Sequence, residues 1–144
     1  MSHPFGNNVG YWVKQIYKDF SHLYEQKLEV YGLTSAQVNV LELLWVHGDG
    51  VTQKDLHERL KIRPASLTNL LNALVAGNWI FRKSDSQDAR TNRVFLTDKG
   101  KSQCKVCMDM ITELEQVIRQ GLSPEEISLL LVWMKKIHQN IARE

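Results

Sequence analysis

Apolar residues recur every three or four positions along most of this chain, the spacing that places side chains on one face of an α-helix. The first such stretch covers about residues 7–31 and ends at Gly32. The second begins at Thr34, which with Gln37 forms a capping-box pattern, and it stops at the turn-forming sequence "HGDG". Thr52 is well placed to cap a third, short helix. The pattern therefore predicts three helices in the first 60 residues.

A helix, a hairpin and two more helices are predicted in the rest of the chain. After a tight turn at "KIRP", Pro64 suits the first position of a fourth helix, and Gly77 suits its end. The segments "WIFRK" and "NRVFL" predict two strands joined by the polar loop "SDSQDAR". Thr97 can cap a fifth helix that Gly121 ends, and "SPEE" opens a sixth. This order of elements predicts a mainly α fold that contains a winged helix-turn-helix.

The length of 144 residues suits one domain, with the winged helix-turn-helix at about residues 34–97 and long helices at about 5–31 and 98–144. The last helix contains "ISLLLVWMKKI", which is apolar around much of its circumference. Such a helix must be buried all round, so the flanking helices are predicted to form a homodimer. A two-fold dimer would present two recognition helices to the half-sites of a pseudo-palindrome, about 34–36 Å apart.

Charge is distributed unevenly, although the net charge is only +2. Residues 52–101 contain ten Lys or Arg and five Asp or Glu, whereas the remaining residues contain eight and eleven. A concentration of positive charge in the middle of a chain is expected where that segment meets a polyanion. No apolar run could span a bilayer, and "MSHPFGNNVG" does not resemble a signal peptide, so we expect a soluble cytoplasmic protein.

The fourth helix is predicted to be the recognition helix. Its leucines occupy one side, and the other side carries small or short polar residues, which are Ala65, Ser66, Thr68, Asn69, Asn72, Ala73 and Ala76. Such a surface can enter a major groove without steric conflict, and Asn can pair with adenine edges. The alternative is an ordinary solvated helix face. A solvated face usually carries Lys and Glu, however, and this one carries neither.

The hairpin contains four basic residues, which are Arg82, Lys83, Arg90 and Arg93. An Arg at a hairpin tip has the right shape to enter a narrow minor groove, where the potential is most negative. Alternatively, Asp88 and Arg90 pair and stiffen the loop. An exposed pair contributes only about 0–1 kcal/mol, so stability alone is a weak reason for it. Both roles can hold at once, and we count Asp88 with the candidate DNA-binding residues.

The segment "DARTNRVFLTDKG" resembles the wing signature of the multiple-antibiotic-resistance-regulator (MarR) family, Asp-x-Arg, a short strand and Leu-Thr-x-x-Gly. Here these residues are Asp88, Arg90, Leu96, Thr97 and Gly100. The segments "LTSAQVNVLELL" and "VTQKDLHERLKIRPASLTNLLNALVAGNWIFRK" fall in the family's order. The resemblance implies a homodimeric transcription regulator that binds double-stranded DNA. Such a protein is usually a repressor, and it is often released by a small phenolic or lipophilic ligand or by oxidation.

One feature departs from that family. Its recognition helices often carry a basic residue in the middle, but this one has none between Pro64 and Gly77, and Arg63 lies just before it. Base preference would then depend on Thr68, Asn69 and Asn72. The neutral helix also keeps a second hypothesis open, a winged-helix module that binds protein and not DNA. The basic hairpin argues against that module.

Other candidate sites carry weaker signals. No catalytic set, phosphate loop or metal-spaced cluster is present, so we expect neither an enzyme nor a cofactor. Cys104 and Cys107 could be buried structural thiols or a redox sensor, and the Cys in the first helix that the family's peroxide sensors use is missing. Four aromatic residues are candidates for an effector pocket, although such a stripe is more often plain core; they are Tyr11, Trp12, Tyr17 and Trp45.

Overall fold

A computed structural model describes residues 2–144 and contains two compact units, one ending at Cys107 and the other comprising Met108–Glu144. The helices are α1 (Val9–Glu29), α2 (Ser35–His47), α3 (Gln53–Leu60), α4 (Pro64–Ala76), α5 (Asp98–Ser102), α6 (Cys104–Arg119) and α7 (Pro124–Ala142). The strands are β1 (Val51–Thr52), β2 (Ile80–Ser84) and β3 (Asn92–Leu96). The predicted mainly α class with a winged helix-turn-helix is confirmed.

Polar caps begin four of the helices at the predicted residues. The Thr34 hydroxyl accepts a hydrogen bond from the Gln37 backbone N–H at 3.2 Å, and the Gln37 side chain accepts from the Thr34 N–H at 3.0 Å. The hydroxyls of Thr52, Thr97 and Ser123 each accept from the N–H three residues later. These bonds satisfy N–H groups that a helix start would otherwise leave unpaired.

Two local features differ from the predicted elements. The wing sheet has a third strand, because β1 pairs with β3 in the register Val51↔Val94 and Thr52↔Arg93. Two residues are too few to show an alternating pattern. The helix predicted between Thr97 and Gly121 is broken at Gln103 into α5 and α6. No Gly or Pro marks that break, so the sequence predicted one continuous helix.

The core of the first unit holds α4 in place from one side. Its fully buried side chains come from several elements, and they include Leu28, Leu41, Leu44, Leu56, Leu67, Leu71, Leu74, Ile80 and Val94. In the turn between α3 and α4, Lys61 has a left-handed backbone (φ 54°), and the His57 ring contacts the Ile62 carbonyl. The turn and the buried leucines together fix which face of α4 remains outside.

The Leu-Thr-x-x-Gly segment closes the sheet against the helices. The Thr97 hydroxyl donates to the Asn78 carbonyl at 2.7 Å and accepts from the Gly100 N–H at 3.0 Å. The Trp45 indole N–H donates to the Gly100 carbonyl at 2.9 Å. A side chain on buried Gly100 would press on the Trp79 carbonyl oxygen, which leaves room only for glycine at this position.

Gly100→Ala is therefore expected to destabilise the protein by about 1–3 kcal/mol, because a new Cβ would overpack this contact. Gly10→Ala is the matched control, since a Cβ at that position in α1 would meet no atom within 4 Å. The control should be neutral or stabilise the helix by up to about 1 kcal/mol. Urea unfolding followed by circular dichroism measures both. Equal stability for the two variants would contradict the packing described here.

Candidate nucleic-acid interface

The outer face of α4 consists of the residues that the sequence placed there. Leu67, Leu71 and Leu74 are buried on the inner side. The side chains predicted to face DNA are all exposed, and they are Ala65, Ser66, Thr68, Asn69 and Asn72. Arg63, directly before the helix, is exposed and makes no capping hydrogen bond with its side chain. The side chains of the exposed face are therefore small or short and polar, and none of them is charged. One cation, Arg63, lies at the start of the helix.

The polar groups on this face differ in how far the protein already uses them. The Thr68 hydroxyl donates to the Pro64 carbonyl at 3.0 Å, which leaves its oxygen free to accept only. The Asn69 carboxamide makes no hydrogen bond within residues 2–144, so it can both donate and accept. The Asn72 Oδ1 atom accepts a hydrogen bond from Arg82 Nη2 at 2.7 Å. Asn69 is thus the side chain best suited to pair with both groups of an adenine edge.

The loop at the tip of the wing is shaped by its two aspartates. Asp85 Oδ1 accepts from the Gln87 N–H at 2.8 Å, and Asp88 Oδ1 accepts from the Arg90 N–H at 3.0 Å. The Thr91 N–H donates to the Asp88 carbonyl at 3.0 Å. A side-chain carboxylate that accepts a hydrogen bond from the backbone N–H two residues on is typical of turns that Asp builds. Asp88 therefore has a structural explanation that does not require DNA.

Arg93 also has contacts within the protein. Its Nε donates to Asp85 Oδ2 at 2.9 Å, and its Nη1 donates to the Gly50 carbonyl at 2.7 Å. The hydrogen bonds from Gln87 and Arg93 hold the pKa of the Asp85 carboxyl below its usual value. These contacts tie the wing loop to the turn before β1, so Arg93 fixes the position of the wing.

Arg90 is far more accessible than Arg93. Its side chain is 93% exposed, and its Nε lies 3.4 Å from Asp88 Oδ1. At that distance and exposure the pair adds little stability, and the rest of the guanidinium remains available. Lys83 is also exposed, and in the antiparallel pairing it lies opposite Arg93. The two pairs of Arg and Asp thus differ in role, since Arg93–Asp85 positions the wing and Arg90 extends from it.

The start of α3 adds residues that sequence reasoning missed. Gln53 and Lys54 share a groove of about 370 Å³ with Arg90, Thr91 and Asn92 of the wing. The N-terminus of a helix attracts anions, and Lys54 adds a positive charge beside it. The sequence does indicate a helix start with a basic residue, since the capping Thr52 is followed by Lys54. It does not indicate that this helix start lies close to the wing, because that depends on the short β1–β3 pairing.

The four aromatic candidates for an effector site are not all in similar surroundings. Tyr11 stacks on His3 with 4.4 Å between ring centroids, and it meets Trp12 edge-on at 5.4 Å. Trp12 and Tyr17 are exposed. Trp45, in contrast, is half-buried and bonded to the Gly100 carbonyl. Trp45 therefore contributes to the packing between α2 and α5.

The two cysteines occupy different environments. Cys107 is fully buried and Cys104 is half-buried. Burial raises the pKa of the Cys107 thiol, and the nearby Cys104 and Glu42 raise it further. Burial also raises the pKa of the Glu42 carboxyl. Because the thiolate is the reactive form, these surroundings favour an inert structural thiol at Cys107.

We expect a thiol reagent to label Cys104 quickly in the native protein and Cys107 only after unfolding. Mass spectrometry of peptides from timed reactions would measure both rates, and the Cys104→Ser variant isolates the slow site.

A double variant, Cys104→Ser with Cys107→Ser, should retain DNA binding, and peroxide should not release the native protein from DNA. Peroxide-driven release that disappears in the double variant would instead support a redox sensor, and equal labelling rates of the two cysteines in the folded protein would contradict the burial of Cys107.

Comparison with known proteins agrees with this geometry. The MarR family profile matches residues 31–91. The uncharacterized HTH-type transcriptional regulator YkoM of Bacillus subtilis is 30% identical over 110 residues, which cover 74% of this chain and 68% of YkoM. This chain belongs to the MarR family. The predicted resemblance to the MarR family is thereby confirmed, and the family consists of DNA-binding regulators and not of enzymes.

Solved MarR-family structures share the fold over almost the whole chain. A complex of Staphylococcus aureus MepR with DNA has a TM-score of 0.82 at 27% identity, covering 93% of this chain and 98% of MepR. A mutant of Escherichia coli MarR in complex with operator DNA has a TM-score of 0.79 at 25% identity, covering 94% of this chain and 99% of that MarR chain. Two neighbours of this MarR-family chain are therefore known bound to DNA.

The curated relatives are matched less completely. The chain is 26% identical to the uncharacterized HTH-type regulator YdgJ of Bacillus subtilis over 76% of its own length and 66% of YdgJ. It is 37% identical to the HTH-type transcriptional regulator TtmR of Methylorubrum extorquens over 57% of its own length and 42% of TtmR. The chain thus spans less than two thirds of these two regulators.

Proposed function

We propose that this protein is a sequence-specific DNA-binding transcriptional repressor of the MarR family that acts in the cytoplasm. The observation that carries the proposal is the uncharged, exposed face of α4 together with the exposed Arg90 of the wing. The first fits a major groove, and the second fits a phosphate or a minor groove. The DNA complexes of MepR and Escherichia coli MarR support this assignment by likeness.

The residues of the interface divide into three roles in this proposal. Ala65, Ser66, Thr68, Asn69 and Asn72 approach base edges in the major groove, and Arg82 is hydrogen-bonded to Asn72 on this face. Arg63, Lys83, Arg90 and, as an addition, Lys54 contact the phosphate backbone or the minor groove. Asp88 and Arg93 shape and position the wing, and they act on DNA only through it. Phosphate contacts position the protein and base contacts give the sequence preference.

A homodimer is the proposed active form. The described part of the chain leaves large apolar side chains exposed on α7, namely Leu129, Leu131, Val132, Trp133, Met134 and Ile141. A second set is exposed on α1, and it includes Val9, Val13, Ile16 and Phe20. Exposed apolar surface on this scale marks interaction sites. A second copy of the chain would cover it and present two α4 helices to a pseudo-palindromic operator.

Release from the operator by a small phenolic or lipophilic effector completes the proposal. Trp12 and Tyr17 expose ring surface that such a ligand could cover, and Tyr11 packs beside Trp12. Trp45 is a weaker candidate, because its indole N–H already bonds within the protein.

None of the helices among residues 2–144 is long and apolar enough to cross a membrane.

Selection of bound sequences from a random DNA pool tests the proposed function directly. A sequence-specific dimer should enrich an inverted repeat whose half-sites lie about one helical turn apart. Affinity for the enriched and random DNA, measured at two salt concentrations, separates specific from non-specific binding. Failure to bind either DNA even at low salt would favour the alternative, a winged-helix module that binds protein.

A further inference from the structure

The recognition helix lacks a cation of its own, but the wing brings one to it. Ile80 of β2 is buried, and the pleat of a strand directs every second side chain to the same face, so Arg82 points back toward α4. There the Arg82 Nη2 atom lies 2.7 Å from Asn72 Oδ1. This short bond has a charged donor and joins the base of the wing to the middle of the recognition face.

The chemistry of this bond decides what Asn72 can still offer. A guanidinium has donors and no acceptor, so the amide atom that faces Arg82 must be the oxygen. The Asn72 NH₂ group is then directed away from Arg82. Donation by a cation also draws electron density from the amide, which weakens the oxygen as a further acceptor and strengthens the NH₂ group as a donor. Asn72 therefore differs from Asn69, whose carboxamide makes no hydrogen bond within the described chain.

We propose that Arg82 and Asn72 form one base-reading unit that offers only hydrogen-bond donors and selects guanine in the major groove. Guanine presents two acceptors there, N7 and O6, whereas adenine presents one acceptor and one donor. The unit supplies the positive charge that α4 itself lacks. It also reassigns Asn72, which the sequence alone paired with adenine. The inference rests on the proposed function, because it requires a protein that reads DNA sequence.

The test begins with the operator selected by the wild-type protein. Each guanine of a half-site is replaced in turn by 7-deazaguanine, which lacks the N7 acceptor, and separately by adenine. Loss of a good base contact should weaken wild-type binding on the order of tenfold at one guanine per half-site. The variants Arg82→Ala and Asn72→Ala should each lose the discrimination at that same position. The double variant should lose no more than either single variant.

Two further variants separate base reading from other roles. Lys83→Ala removes the neighbouring cation, whose side chain points to the opposite face of β2. It should weaken all DNA equally and keep the guanine discrimination. Arg82→Lys keeps the charge but loses the planar fork of donors, so it should retain affinity for random DNA and lose the discrimination. It also provides a milder change if Arg82→Ala disturbs folding, which thermal melting would reveal.

The outcomes distinguish this inference from the function on which it rests. Unchanged base discrimination in folded Arg82 and Asn72 variants would make their bond purely structural. Sensitivity of the wild type to replacement of an adenine by purine, which lacks the N6 donor, that disappears in Asn72→Ala would show that the Asn72 oxygen accepts from adenine, which overturns the donor-only unit. A wild-type protein that selects no DNA sequence at all would overturn the proposed function itself, and the inference with it.

Discussion

Trp133→Lys is expected to convert the protein from a dimer into a monomer at micromolar concentration. Trp133 is 54% exposed in the single chain and lies among other exposed apolar residues of α7. In a dimer that covers this surface, an unpaired ammonium group would be removed from water without a partner. The cost of at least about 2 kcal/mol corresponds to a roughly thirtyfold weaker dimer. Light scattering should then report a mass near the 16.7 kDa of one chain.

The control places the same charge at a polar position of the same helix. Gln139 is exposed, and Gln139→Lys should leave the dimer intact. Not every apolar residue of α7 is an equally clean target: Leu130 is half-buried within its own chain, and a Lys there would also disturb that packing. The monomeric variant should lose most specific DNA binding, since one half-site remains. A Trp133→Lys protein that stays dimeric would show that α7 is not part of the interface.

Local signals in the sequence were sufficient for most of the fold. A helix start depends on residues three apart, so the caps at Thr34, Thr52, Thr97 and Ser123 could be identified from the sequence alone. The outer face of α4 followed from the spacing of its leucines. The two-residue strand and the break at Gln103 could not be predicted in the same way, because neither has a period or a breaker residue of its own.

The roles of individual wing residues depended on contacts across the chain. Arg90 and Arg93 are both basic residues of the same short wing segment in the sequence. Their difference arises because Arg93 reaches the carbonyl of Gly50, 43 positions away. The bond between Arg82 and Asn72 likewise requires the strand to fold back beside the helix. Residue type and local spacing cannot indicate which of several cations is already engaged.

Arg90→Ala and Asn69→Ala are expected to weaken DNA binding in different ways. A cation that contacts a phosphate or a narrow minor groove releases counterions, whatever the base sequence. Arg90→Ala should therefore weaken binding to all DNA and reduce the slope of log affinity against log salt by about one unit for each wing. Asn69→Ala should cost roughly 1–3 kcal/mol for each lost bidentate base contact at the preferred sequence, and little elsewhere.

Titrations of both variants on the selected and on scrambled DNA, at several salt concentrations, separate the two effects. Arg119→Ala is the matched control, because Arg119 is an exposed Arg of α6 that pairs with Glu115 at 2.8 Å and lies outside the candidate interface. It should leave both affinity and slope unchanged. If Arg90→Ala left the slope of log affinity against log salt intact but lowered the melting temperature, Arg90 would be only a structural partner of Asp88. Equal weakening of both DNAs by Asn69→Ala would show that the base-reading face of α4 has been misplaced, because a residue that contacts no base edge cannot distinguish one sequence from another.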